Sequence, residues 1–190
     1  NRKRGYGMVV IEYLKHWWLK RPRRLDTGKE AGSQPTFQAT YLELCEVLGL
    51  KRRPAVYVEG NLTDALALTP CYAGVHHYGK FKSDIFINAA RNMVPTLAHE
   101  MFHEYQHEYY PEEFVNRSAE QKAWHELEAD AFALAYCRKV NMNKEDCQIL
   151  YQDTNGNDRD ETEILELEQL VEAFAAKFHL ECEVSMEIAS

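Results

Sequence analysis

With 190 residues and an apolar fraction of 45%, the chain is long enough for one domain with a real core. It has no apolar run near the roughly 20 residues a membrane span needs, and Glu12, Lys15 and His16 interrupt the stretch at 8–20 that would otherwise resemble a secretory leader. The net charge of −8 divides unevenly: residues 1–24 hold eight Lys or Arg against one acid, a net of +7, leaving −15 for the remainder, so nucleic acid has only that arm to bind.

Residues 8–20 read as a short amphipathic helix with bulky apolar groups, followed by a basic Gly- and Pro-containing linker from 21 to 33. Together, 1–34 form an amino-terminal arm, and 35–190 form the main domain. The expectation for the arm is packing on the acidic body through its Val, Ile, Leu and Trp side chains; docking to a partner protein, an anionic membrane or nucleic acid is the alternative. Pro35 suits the first turn of a helix over 35–48, which Gly49 closes. The period then changes. Strands are predicted at 55–59, 71–78 and 81–88, with Gly79-Lys80 as a hairpin turn between the last two. Helices follow at 94–110, ended by Pro111, then at 118–140 and 143–151. A polar loop, 153–160, precedes a last helix over 161–179 whose apolar face is Leu165, Leu167, Leu170, Val171, Phe174 and Phe178. Helix, small sheet, then helices is an α+β pattern.

Three side features carry little weight. The polar loop places Asp153, Asn155 and Asn157 at positions 1, 3 and 5 of a calcium loop, but position 6 is Asp158 instead of Gly and position 12 is Ile164 instead of Glu, so it reads as a solvated turn. The five cysteines, Cys45, Cys71, Cys137, Cys147 and Cys182, are odd in number and contain no CxxC pair, which points to reduced thiols and a cytoplasmic protein. Two glycosylation tripeptides, beginning at Asn61 and Asn116, are of a kind that arises by chance.

The chemistry concentrates in His99-Glu100-Met101-Phe102-His103, an HExxH motif inside a predicted helix. Residues four apart share a helix face, so both imidazoles reach one zinc ion at about 2.0–2.1 Å. Glu100, turned about 100° from His99, sits beside the metal without ligating it, where a general base belongs. A third ligand comes from the segment 124–133. There Ala123, Leu127, Ala131 and Leu134 define the inward face, Glu126 and Asp130 border it, and His125 and Glu128 point to the opposite side. Glu126 is therefore the expected third ligand, and Asp130 the residue that orients a ligand imidazole through its free ring N–H. His107 continues the stripe of His99 and His103, but about 12 Å of helix separates His99 from His107, so no single ion takes both. His107 is read as a flanking surface or channel residue.

These residues carry a resemblance. The strand ending Ile85-Phe86-Ile87-Asn88, the run Thr96-Leu97-Ala98-His99-Glu100-Met101-Phe102-His103 and the run Glu126-Leu127-Glu128-Ala129-Asp130-Ala131-Phe132-Ala133 resemble the gluzincin pattern HExxH…ExxAD. Among small members the chain is most similar to the ImmA/IrrE-like metallopeptidases, over about residues 81–140, although position 102, often Gly in those proteins, is Phe here. The resemblance implies a zincin-like fold, with a small, mostly antiparallel sheet above the active helix and a peptide substrate along the edge strand near 83–88. It implies a zinc metallopeptidase with one Zn2+ that cuts one or a few protein partners. Tyr72, His76, His77 and Tyr78, on the predicted hairpin, are the candidates to donate to the transition-state oxyanion. The rival readings are a zincin-folded regulatory or binding protein with a structural or nearly silent zinc site, and an acidic helical interaction protein.

Overall fold

The computed structural model describes residues 23–24, 35–59, 74–78, 83–88, 93–153 and 156–180. The elements run β1 (Arg23–Arg24), α1 (Pro35–Val47), β2 (Ala55–Glu59), β3 (Gly74–Tyr78), β4 (Ser83–Asn88), α2 (Met93–Tyr109), α3 (Pro111–Val115), α4 (Ala119–Lys139), a 3-10 turn (Gln148–Tyr151) and α5 (Glu161–Lys177). The class is α+β. The helix expected at 8–20 and the Gly79-Lys80 turn lie outside the described residues.

The sheet is mixed, in the order β1-β2-β4-β3. β4 pairs with β2 in parallel (Val56↔Ile85, Val58↔Ile87) and with β3 antiparallel (Gly74↔Ile87, His76↔Ile85), while Arg23↔Val58 joins β1 to β2 antiparallel. Two expectations change here. Arg23 and Arg24, read as linker, enter the sheet; a strand of two residues leaves no alternation to detect. The segment 83–88 is interior, with Ile85 to Asn88 buried, so the exposed edge on this side among the described residues is β3.

Local chemistry explains most boundaries. Gly49, at φ +61°, ends α1 while the Leu50 N–H reaches back to the Cys45 carbonyl. Pro111 does more than stop α2, because it occupies the first turn of α3, where its missing N–H costs nothing. Ser118 and Gln121 form a capping box on α4, and Asp160 and Glu163 form another on α5. The expected helix at 143–151 is instead a turn followed by the short 3-10 segment. In the loop beyond it, both carboxylate oxygens of Asp153 accept from Asn157, from its backbone N–H (2.8 Å) and its side-chain amide (3.1 Å).

Packing centres on Phe102, which lies 4.9 Å from Phe132, 5.1 Å from Phe174 and 5.3 Å from Tyr105, ring centre to ring centre. Every residue from 129 to 137 is buried, so α4 is covered on all sides over that stretch. The helical-wheel reading of α4 therefore fails in part: Ala123 is exposed, whereas His125 is buried and stacks on Phe114 at 5.8 Å. The cause is α3, which folds Phe114 onto that flank. On α5, Leu165 is 60% exposed and does not belong to the apolar face formed by Leu167, Val171 and Phe174. Cys45, Cys137 and Cys147 are buried free thiols. No helix among the described residues is long and apolar enough to cross a membrane.

Candidate metal centre

α2 and α4 pack side by side, and their facing sides bring His99, His103 and Glu126 together as a group able to hold a metal ion. The three potential ligand atoms form a nearly equilateral triangle. His103 Nε2 is 3.1 Å from His99 Nε2 and 3.3 Å from Glu126 Oε2, and His99 Nε2 is 3.4 Å from Glu126 Oε2. Ligands at about 2.0–2.2 Å from one tetrahedral ion stand about 3.3 Å from each other, so the triangle matches one face of such a site.

The protons are arranged to match. The Gln106 side-chain N–H group donates to the His125 carbonyl (3.1 Å) and to Glu128 Oε2 (2.8 Å), both of which only accept. Its oxygen must then face His103 Nδ1 at 2.8 Å, and that nitrogen donates. The His103 proton is thereby held on Nδ1, and Nε2 offers its lone pair to the centre. His99 Nδ1 donates in the same way to Asp130 Oδ1 at 2.7 Å. Three electron-rich atoms thus converge, an arrangement that a cation relieves. Burial by itself would lower the His99 pKa, but Asp130, with Glu126 and Glu100, lifts it well above the usual histidine range. Glu126 is likewise buried, yet the imidazoles of His103 and His99 beside it, 3.3 and 3.4 Å away, hold its carboxyl far below the usual range.

Glu100 is buried beside these three residues without being one of the group. Burial pushes its carboxyl up, against the opposing pull of His99 and His103, and the His76 backbone N–H donates to it. Asp130 continues outward: its second oxygen accepts from Arg159 Nη2, whose side chain is 7% exposed. The loop read as merely solvated therefore delivers a buried cation. A cavity of about 340 Å³, lined in part by Trp124, Glu126, Arg159 and Glu163, opens beside the group.

Of the four candidate oxyanion donors, Tyr72 lies outside the described residues, and Tyr78 is described only as the end of β3. His77 is exposed on β3. The His76 ring is buried, with Nε2 2.7 Å from Glu104 Oε2, joining β3 to α2. His107 is half-buried against Phe114, its Nδ1 4.0 Å from Glu104, and stands apart from the three ligands. Glu128, placed by the helical wheel on the far side of α4, instead accepts from Gln106. Sequence reasoning missed Gln106, Glu104 and Arg159. The i+3 spacing from His103 marks Gln106 as a candidate, whereas Arg159, 29 residues from Asp130, carries no local signal. No family model, curated protein or solved structure matches this chain.

Proposed function

We propose that the chain is a zinc-dependent metallopeptidase of the zincin type, similar to the small ImmA/IrrE-like enzymes, that hydrolyses a peptide bond in one or a few protein partners. His99, His103 and Glu126 would hold the ion, and two imidazoles with one carboxylate are the donor set of a catalytic zinc that keeps a fourth position open. When bound, zinc supplies Lewis acidity, which brings the pKa of a water to about 7 and polarises a carbonyl. Asp130 and Gln106 keep the imidazole protons on Nδ1 and so leave both Nε2 lone pairs to hold an ion when one binds.

The observation that carries the reading is Glu100. It is an acid 6% exposed, one residue from a ligand, and outside the ligand set. A structural zinc closes its shell with four protein ligands and needs no base beside it. With its pKa raised by burial, Glu100 accepts a proton from the attacking water and returns it to the leaving amine. The cavity beside Glu126 gives room for substrate groups next to the reacting carbonyl.

The test is direct. The purified protein should hold about one zinc per chain and cut peptides from a mixed library. Glu100→Gln should fold and keep its zinc while turnover drops by about 10²–10⁴-fold, the usual contribution of a general base. A Glu100→Gln variant as active as the parent overturns the mechanism.

A further inference from the structure

β3 opens with a glycine whose conformation does not require one. Positive φ among the described glycines occurs at Gly49 and Gly156, not at Gly74. The reason for Gly74 lies in space. A Cβ built there would stand 2.6 Å from Thr96 Cγ2, 2.8 Å from Glu100 Oε1 and 3.0 Å from Glu100 Cγ. Real Cβ atoms essentially never come that close to another heavy atom, so something must move. A glycine inside a strand often marks a place where another group approaches the backbone closely, and here that group is the proposed base.

We infer that Gly74 is a positioning residue for Glu100: its missing side chain lets the β3 backbone close over the carboxylate and hold it at the edge of the metal centre. This inference rests on the reading of Glu100 as the base. Three constraints decide what yields when a methyl group is added. Thr96 is buried and β-branched, and such side chains are stiff about χ1 in a helix. β3 is held from two sides, by its ladder to β4 (Gly74↔Ile87) and by the His76 ring on Glu104 at 2.7 Å. The Glu100 carboxylate is the far end of a flexible side chain, and its hold on the strand is the His76 N–H. The carboxylate therefore gives way and leaves that donor. His99 and His103, held through Nδ1 by Asp130 and Gln106, and Glu126 on α4 keep their places.

The experiment uses the full chain loaded with zinc. Gly74→Ala should retain one zinc per chain and leave KM within about twofold, while kcat falls roughly 10²-fold, the scale of a misplacement of about 1 Å. Adding Thr96→Ser removes Cγ2 and with it the tightest contact but leaves the contacts with Glu100, so Gly74→Ala/Thr96→Ser should regain stability and little of the lost kcat. A merely structural glycine would lower thermal stability and leave kcat per folded molecule unchanged, which overturns the inference. So does full recovery of kcat on adding Thr96→Ser, which would place the loss in the Thr96 contact and not at the carboxylate.

A second readout needs no activity. Gly74→Ala should destabilise the protein less in a Glu100→Ala background, where the crowded carboxylate is gone, than in the parent; equal destabilisation overturns the inference. If Gly74→Ala aggregates alone, folding of Gly74→Ala/Glu100→Ala supports it, and failure of both overturns it. Coupling in this stability cycle with a parent that cuts no peptide defeats the peptidase reading while leaving the contact between Gly74 and Glu100 in place.

Discussion

Removing Asp130 should separate two quantities that usually fall together, stability and metal affinity. Its carboxylate is shared, with Oδ1 on His99 Nδ1 and Oδ2 on Arg159 Nη2. Both partners of the second pair are buried, with Asp130 at 11% and Arg159 at 7% side-chain exposure. Asp130→Ala strands the guanidinium, and breaking a buried pair from one side costs about 3–5 kcal/mol. For a domain of this size that lowers the melting temperature by roughly 6–20 °C. The same substitution removes the acceptor that orients His99, which weakens zinc binding about 10–100-fold. Asp130→Ala/Arg159→Met removes the stranded charge but does not restore the acceptor. The double variant should therefore regain at least half of the lost stability and none of the lost affinity. Stability is to be read from thermal unfolding in excess chelator, so that binding does not contribute, and affinity from competition with a chromophoric chelator. A double variant as unstable as Asp130→Ala refutes the argument, as does Asp130→Ala with undiminished zinc affinity.

Three further outcomes follow from the geometry. His99→Ala, His103→Ala and Glu126→Ala should each strongly reduce zinc content, whereas Glu128→Ala, whose carboxylate accepts from Gln106, should keep the ion; metal analysis with the opposite result for the two glutamates reassigns the third ligand. Phe102→Ala empties the centre of an aromatic cluster and should cost about 3–5 kcal/mol in denaturant unfolding; a cost below 1 kcal/mol would mean that the cluster collapses to fill the space. Ser118→Ala removes the cap of α4, whose side chain accepts from the Gln121 N–H, and should cost about 1 kcal/mol without changing zinc content.

The three residues that could hold a metal ion were legible because helical spacing places them: HExxH puts two imidazoles on one face, and Glu126, at the border of the inward face of a second helix, joins them. Strand and helix positions followed from the change of period near residue 55 and from Pro35, Gly49 and Pro111. What escaped depends on the third dimension. The wheel for α4 assumed one covered face, whereas α3 covers a second with Phe114, which is why His125 is inside. The place of 83–88 within the sheet was inverted because strand order is a property of long-range pairing, and the parallel ladder to β2 leaves no mark in either strand. Arg159 sat in a loop rich in Asp, Asn and Gly, where composition argues for solvent; only the approach of α4 puts a buried carboxylate within its reach.

The position of α2 has a consequence for how the protein comes apart. This helix touches α1, α3, α4, β3 and β4, and eleven of its seventeen residues are buried. Segments so placed exchange their amide hydrogens only through the largest openings a protein undergoes, while peripheral segments open at far lower cost. His99, Glu100 and His103 should thus belong to the last cooperative unit to open, which amide exchange would read. Fluctuations that loosen α3 or the turns before α5 pass without scattering those three side chains, and α2 should lose them only when the domain itself unfolds.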